Sequence, residues 1–389
     1  MLLVMILTLA LGAATADFFR LHRLRRRGAA AARLRLPAAW AVLTDLLPLA
    51  VAVSGVLVRD NTPAYMWFAM WALWLWLATV LPRLVFYLFE LVRLPRTGRV
   101  LGVCVALLMI WGATTGRTRL HINRVEVVSC RIPAGFDGYR IAQLSDIHLG
   151  SVVRPARELQ RIVDSVNRLR PDLVVFSGDL VNIRYTELDS TAMRILAGFR
   201  APVVSVTGNH DVGVYVKDTT ALPAAENLRR VIRRQQAMGW RVLQDTTLYL
   251  RSHGDSISLS GISFDPELRK KRHDKELPPV SKAAYRGVPD TLYNITVVHL
   301  PQLWPQIAEA GYGDLTLAGH VHAMQLKVRL LGRAWSPARL LYKRWSGRYD
   351  EAGSTLYIND GTGCVAYPMR LGAWPEITLF TLRHDPSCE

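Results

Sequence analysis

The chain has 389 residues, half of them hydrophobic, and its 48 Lys plus Arg against 31 Asp plus Glu leave a formal charge of +17. That composition excludes a disordered tail, a disulfide-rich miniprotein and a collagen-like fibre, and the length suggests two or three structural units. Four widely spaced cysteines, Cys104, Cys130, Cys364 and Cys388, form no C-x-x-C pair, so no zinc ribbon or redox motif is visible and cysteine says little about compartment.

The charge is unevenly placed. Up to Gly116 there are 12 Arg, no Lys and 4 acids, and the arginines sit in short loops between very apolar runs. Such loops read as topology signals rather than as a nucleic-acid surface. The apolar runs cover residues 1–19, 38–58, 65–92 and 100–116, where crossing a bilayer takes ~20 residues. In the first run Arg20, Arg23, Arg25, Arg26 and Arg27 follow the apolar core instead of preceding it, so it reads as an anchor and not as a signal peptide. The third run, with Trp67, Trp71, Trp74, Trp76, Phe86 and Tyr87, is expected to span as far as Leu81 and then kink at Pro82 into an interfacial piece. Arg83 would there snorkel toward the headgroups. The fourth run is the shortest and is weakened by Gly112 and Gly116, so three spans are the alternative to four. Seven Arg within 20–35 and three within 93–99 place those loops in the cytoplasm. With four spans everything after Gly116 then lies outside, although Arg117, Arg119 and Arg124 pull mildly the other way. Transport through the helices would call for intramembrane charges facing one another; Asp45 is the main candidate and has no evident partner in the sequence.

From about residue 121 short β-rich runs alternate with amphipathic stretches. Residues 125–131, 140–144, 173–176, 203–206, 295–298, 315–317, 356–358 and 377–382 read as strands. Helical patterns cover 156–169, 191–199, 224–238 and 301–310. The alternation predicts mixed α/β layers with at least one sheet covered by helices. The stretch 267–282, dense in Lys, Arg and Pro, reads as a solvated loop, and Arg229, Arg230, Arg233 and Arg234 as a solvated helix face.

At the ends of successive predicted strands the same residue types recur. The sequence runs Ser145-Asp146-Ile147-His148, then Ser177-Gly178-Asp179, then Gly208-Asn209-His210-Asp211, then Val298-His299, then Gly319-His320-Val321-His322. Strand carboxyl ends in a layered sheet converge on one edge, so these side chains can meet at one site. Oxygen and imidazole ligands without thiolate suit Mn, Fe or Zn, and a carboxylate between two ions can bridge them. Nine of the ten histidines lie beyond Gly116, and five of those nine fall in these motifs.

The ordered set resembles the calcineurin-like metallophosphoesterase superfamily over about residues 139–382. The whole chain would then be α/β: N-terminal transmembrane helices over 1–116, followed over 117–389 by a layered αββα metallophosphoesterase sandwich. The resemblance implies two divalent metal ions. Asp146, His148 and His322 would hold the first, Asp179 would bridge, and Asn209, His299 and His320 would hold the second. It also implies that His210 is poised over the phosphate or the leaving oxygen, able to give a proton as imidazolium, with Asp211 orienting it. The helical front end and the run from Asn359-Asp360-Gly361-Thr362-Gly363 to Arg370-Leu371-Gly372-Ala373-Trp374-Pro375-Glu376-Ile377 are most similar to the membrane-attached bacterial branch. There the resemblance implies phosphodiesterases or pyrophosphatases, some acting on lipid-linked substrates. Two departures bear on substrate shape: Ala323 and Met324 stand where that branch usually has Gly-Gly, and Asn182 where an acid is common.

The segment 330–349 carries Trp335, Leu340, Leu341, Tyr342 and Trp345 beside Arg333, Arg339, Lys343 and Arg344. It reads either as an element that dips into the headgroup layer or as a loop packing its aromatics on the core. The leading expectation is a membrane-anchored two-metal phosphoesterase in the cell membrane, its catalytic domain extracytoplasmic, its partners a phosphoester substrate and membrane lipids. A nuclease or soluble-nucleotide phosphodiesterase is prompted by the net charge but weakened by the absence of an aromatic-basic stacking groove, so nucleic acid is not favoured. A non-catalytic scaffold would be expected to lack ligands, whereas every ligand position is filled. Oligomeric state is left open.

Overall fold

The computed structural model describes residues 2–28, 30–266, 279–351 and 353–388. The loop expected over 267–282 lies outside these up to residue 278. The chain divides into two compact units, Met1–Gly116 with Val365–Met369, and Arg117–Cys364 with Arg370–Glu389.

The first unit is helical: α1 (Leu2–Arg26), α2 (Ala31–Asp45), α3 (Leu47–Leu57), α4 (Pro63–Leu91) and α5 (Pro95–Thr114). Three stretches, Arg33–Leu57, Pro63–Leu91 and Pro95–Thr118, are long and apolar enough to cross a membrane. Many of their leucines and valines are exposed, with Trp40 and Trp67, as lipid-facing side chains are, while Ala13, Trp76 and Val80 pack inward. Gly98 and Gly102, one turn apart on α5, let that helix close on α4: a Cβ at Gly102 would sit 2.9 Å from the Pro82 carbonyl oxygen.

Two sequence expectations are corrected in this unit. Pro82 does not end α4, which runs through it to Leu91, and Arg83 does not snorkel. Its Nη2 lies 3.0 Å from Asp17 Oδ2 and 2.5 Å from Asp45 Oδ1, and Nη1 donates to Thr44 Oγ1 at 2.8 Å. Tyr87 donates its hydroxyl to the other oxygen of Asp17. Asp45 therefore has a partner after all. An arginine among apolar helices gains more from two carboxylates than from a partial route to the headgroups, because each buried charge is otherwise left uncompensated. Arg83→Met is expected to destabilise detergent-purified protein by about 3 kcal/mol, read as a lower melting temperature. Adding Asp17→Asn and Asp45→Asn should recover most of that loss, since no charge is then stranded.

The second unit holds two mixed six-stranded sheets. Its elements in chain order are β1 (His121–Ser129), β2 (Arg140–Leu144), α6 (Pro155–Leu169), β3 (Leu173–Phe176), α7 (Ser190–Leu196), β4 (Val203–Ser205), α8 (Ala224–Ala237), β5 (Arg241–Val242), β6 (Thr246–Ser252), β7 (Asp255–Ile262), β8 (Asn294–Val298), α9 (Trp304–Glu309), β9 (Leu315–Ala318), β10 (Val328–Leu330), β11 (Arg333–Trp335), β12 (Gly347–Glu351), β13 (Ser354–Ile358) and β14 (Glu376–His384). The sheets run β1-β14-β2-β3-β4-β5 and β12-β13-β9-β8-β7-β6, with β10 and β11 forming a separate hairpin. Strands β2 to β5 are mutually parallel, as are β7, β8, β9 and β13.

Strand alternation builds the layers. Ile141, Leu173, Val175, Val204, Ile295, Val297, Leu315 and Leu317 form one core between the sheets. Ala142, Leu144, Val174 and Phe176, on the opposite faces of β2 and β3, pack under α6. Helix α6 presents Leu159, Ile162, Val163, Val166 and Leu169 to them at helical spacing, and each fully buried aliphatic side chain contributes roughly 2 kcal/mol. Trp304 and Ile307 of α9 cover Val298, Ala318, Leu356 and Ile358 of the second sheet. The result is the expected αββα order.

All eight predicted strands are present. Strand β7 escaped the sequence reading because Ser258 and Ser260 interrupt its apolar pattern. Both are buried, and both are bonded by the Asn294 amide, at 2.9 and 3.0 Å. A buried hydroxyl is tolerated where it has such a partner. Arg229, Arg230 and Arg233 of α8 are exposed as expected, while Arg234 is half-buried: it stacks with Arg230 over the Tyr185 ring at 4.7 Å and donates to the Tyr185 and Leu188 carbonyls.

Candidate metal centre

The polar residues singled out in the sequence follow β2, β3, β4, β8 and β9 directly. Because these strands end at neighbouring positions of the facing sheets, their side chains meet. Ligand atoms within 4.8 Å of one another form three groups: Asp146, His148 and His322; His148, Asp179 and His210; and Asp179, His299 and His320. His322 Nε2 lies 3.0 Å from Asp146 Oδ1 and 3.1 Å from His148 Nε2. Asp179 Oδ2 lies 3.1 Å from His299 Nε2 and 3.7 Å from His148 Nε2, which puts this carboxylate between the two outer groups. Asn209 Oδ1 is 3.0 Å from His299 Nε2.

The turns are strained in a way that serves this convergence. Among the described residues, eight of the 14 non-glycine residues with positive φ are Asp146, His148, Asp179, His320, His322, Ala323, Met324 and Gln325. Such conformations cluster where a site imposes its own geometry on the backbone. Gly319 is required by close approach, since a Cβ there would collide with Ser145 Oγ and Asp146 Oδ2.

Electrostatically the site is a buried cluster of opposed groups. Burial disfavours the Asp146 carboxylate, but the His322 and His148 imidazoles outweigh it and hold the group well below its ordinary value. Asp179 is likewise lowered despite burial, by His299 and His210. Burial pulls His148 down to about 4 and His320 to about 3, so both are neutral lone-pair donors at neutral pH. His299 goes the other way: burial lowers it, but the adjacent Asp179 carboxylate raises it to about 9. Imidazoles and ionised carboxylates with no thiolate fit divalent ions of the Mn, Fe or Zn kind, with His299 giving up its proton on binding.

One placement differs from expectation. Asp211 does not orient His210. Its carboxylate accepts the backbone N–H of Asp179, Leu180, Val181 and Gly208 at 2.8 to 3.1 Å, tying the β3 and β4 turns together. Burial raises it to about 7, with the nearby Asp179 charge adding to the shift. The group facing His210 Nδ1 is the Asn182 carbonyl, at 2.5 Å. Burial also holds His210 below its ordinary value, so in the resting site it is a neutral imidazole with its proton on Nδ1.

Three supporting residues had little sequence signal. Glu187 accepts the backbone N–H of Asn182, Ile183 and Gly150 at 2.5, 2.8 and 2.9 Å, shaping the loop that presents the Asn182 carbonyl. Tyr215 stacks on His210, with ring centroids 4.4 Å apart, and accepts from the Asn209 amide at 3.0 Å. Arg370, fully buried, donates to the Gly363 and Ala373 carbonyls and places Nη2 3.2 Å from His322 Nδ1. A buried cation of this kind is invisible until the fold shows which carbonyls surround it.

The model of the calcineurin-like phosphoesterase family matches residues 139–324, a span that holds every one of these strand-end residues. The chain carries a calcineurin-like metallophosphoesterase domain. The metallophosphoesterase YkuE of Bacillus subtilis (strain 168) is 29% identical over 263 residues, 66% of this chain and 83% of that protein. The transmembrane protein with metallophosphoesterase domain of Danio rerio is 30% identical over 297 residues, 72% of this chain, but the match spans only 61% of that relative's length. The UDP-2,3-diacylglucosamine pyrophosphatase LpxG of Chlamydia muridarum (strain MoPn / Nigg) is 23% identical over 330 residues, 70% of this chain and 89% of that protein.

Within the metallophosphoesterase domain the pair Ala323 and Met324 now has a physical reading. Both adopt left-handed backbone, with φ of 46° and 47°, a conformation that costs an L-residue roughly 1–2 kcal/mol and glycine nothing. Ala323→Gly is expected to leave stability unchanged or raise it by up to about 1 kcal/mol, the strain relieved exceeding the added chain entropy. Denaturant unfolding of the purified protein checks this.

Proposed function

We propose that this chain is a membrane-anchored, two-metal phosphoesterase that hydrolyses a phosphodiester or pyrophosphate bond, a lipid-linked substrate being favoured over a soluble nucleotide. The observation that carries the reading is the placement of Asp179 between two carboxylate–imidazole groups, 3.1 Å from His299 and 3.7 Å from His148. Asp146, His148 and His322 would hold one ion and Asn209, His299 and His320 the other, with Asp179 placed to serve both. Bound divalent ions supply positive charge for the phosphoryl oxygens and acidify water so that hydroxide is available near neutral pH.

The chain's own residues do the rest. The Asn182 carbonyl keeps the His210 proton on Nδ1, leaving Nε2 as the free ring atom. An anionic phosphate brought against Nε2 draws a second proton there, and that proton is the one delivered to the leaving oxygen. Tyr215 fixes the plane of the His210 ring by stacking. Asp211 keeps the Asp179 and Asn209 turns in register by gathering their backbone N–H groups. Asn209, a neutral ligand, keeps the second metal position from accumulating negative charge.

Support for a lipid-linked pyrophosphate comes from the relative named as a UDP-2,3-diacylglucosamine pyrophosphatase. Support for an extracytoplasmic catalytic domain comes from the arginine-rich loops and from Cys130, which is disulfide-bonded, since such bonds persist in oxidising compartments. The test is hydrolysis of bis-p-nitrophenyl phosphate by the detergent-purified full chain, stripped by a chelator and then given Mn²⁺. Stripping is expected to abolish turnover and Mn²⁺ to restore it. Protein that holds no metal and turns over nothing under any divalent ion would instead be a scaffold.

A further inference from the structure

The turn that carries His320 and His322 leads straight into an element that the hydrolytic chemistry does not use. Hairpin β10–β11 turns at Leu331 and Gly332, both at positive φ, and every residue of its two strands is exposed. A two-stranded ladder without cover is marginal in water. Leu331 is 93% exposed, Leu330 70%, and Leu340 in the following helical turn 78%, with Trp335 and Leu341 also exposed. Interleaved with them are Arg329, Arg333 and Arg339, which form no ion pair among the described residues, and no Asp or Glu occurs between residues 315 and 349.

The base of this element is, by contrast, firmly built into the phosphoesterase domain. Lys327 is buried and paired with Asp360, and its Nζ donates to Ser346 Oγ at 2.8 Å. Ser336 Oγ donates to the Ala323 carbonyl at 2.7 Å, and the Tyr342 ring stands edge-on to His320 at 6.3 Å. The core-packing reading of this segment holds for Ala338, Tyr342 and Trp345, whereas the tip is exposed.

We infer that residues 328–341 form a lip that seats in an anionic lipid surface, leucines and Trp335 among the acyl chains and the three arginines at the phosphates. Uncompensated arginines rule against burial in a dry apolar interface, whereas anionic headgroups complement them, and exposed Leu, Trp and Arg together are the composition of interfacial elements. Because the lip is continuous with the His320–His322 turn, a lipid phosphate it engages is delivered beside the metal ligands. That last clause rests on the phosphoesterase reading; the insertion of the lip does not.

The experiment uses the full chain in lipid nanodiscs. Leu331→Cys in a Cys104→Ser background carries an environment-sensitive fluorophore, with Tyr249→Cys on β6 as the solvent-exposed control. Discs contain phosphatidylcholine with or without phosphatidylglycerol, plus lipids bearing a nitroxide quencher. The probe at 331 is expected to be quenched while the control is not, at least about twofold more with phosphatidylglycerol, and less once Arg329, Arg333 and Arg339 become Glu. Quenching at 331 no greater than at 249 overturns the inference. As a second arm, Leu331→Asp with Leu340→Asp should cut turnover of a vesicle-borne phosphodiester about tenfold relative to soluble bis-p-nitrophenyl phosphate; an unchanged ratio speaks against the lip. If the unsubstituted protein hydrolyses neither substrate, the phosphoesterase reading fails while the quenching result stands by itself.

Discussion

Asp179→Ala is expected to lower kcat/KM by about 10⁴-fold, equivalent to about 5.4 kcal/mol of transition-state stabilisation. The size follows from the position of this carboxylate. Its Oδ2 faces both His299 and His148, and its Oδ1 accepts the His210 backbone N–H at 2.8 Å. Removing it takes a ligand from both proposed ions and loosens the turn that carries His210. Asp179→Asn, which keeps the shape and the hydrogen-bond acceptor but not the charge, separates these losses. Metal content measured by elemental analysis should fall in both variants, and His299, buried and no longer raised by the carboxylate, should titrate lower. A variant that retains its full metal complement and activity would remove Asp179 from the bridging role.

His210→Gln should behave differently. Metal content is expected to stay at the unsubstituted level, because Asp146, His148, Asp179, His299, His320 and His322 remain, and kcat is expected to fall by about 10²–10³-fold on substrates with an alkoxide leaving group. A proton donor matters most when the leaving oxygen is strongly basic. On bis-p-nitrophenyl phosphate, whose leaving group departs readily as an anion, the loss should be only about tenfold. Equal losses on both substrates would mean that His210 acts through binding or structure and not through its Nε2 proton.

The reading of the site from the sequence and its limits come down to particular residues. Asp146, His148, Asp179, Asn209, His299, His320 and His322 were legible because each follows an apolar run and because glycines mark the turns. Strand ends converge for topological reasons, so a list of strand ends is already a list of neighbours. Asp211 stands in the same motif, but its contacts are not the expected ones. Sequence adjacency suggests that it touches His210, but the turn after β4 directs its carboxylate to the backbone of the β3 turn. Glu187, Tyr215 and Arg370 went unnoticed as site residues because each acts on a partner distant in sequence. Arg370 reaches His322 across 48 positions. In the helical unit Arg83 and Asp45 were visible as isolated charges, but their pairing with each other and with Asp17 depends on how α1, α2 and α4 pack.

What the sequence determined by itself is the set of local commitments: apolar runs long enough to cross a membrane, alternating runs that must become buried strands, and ligand-type side chains at the ends of those strands. These follow from periodicity and from side-chain chemistry, which are properties of a few adjacent residues. Only the tertiary structure decided which carboxylate lies between two groups of imidazoles, which carbonyl holds His210, and which half of segment 330–349 is core and which half is exposed lip. Those outcomes depend on contacts between residues far apart in the chain, and a buried polar group is settled by whichever partner the packing brings within hydrogen-bond distance.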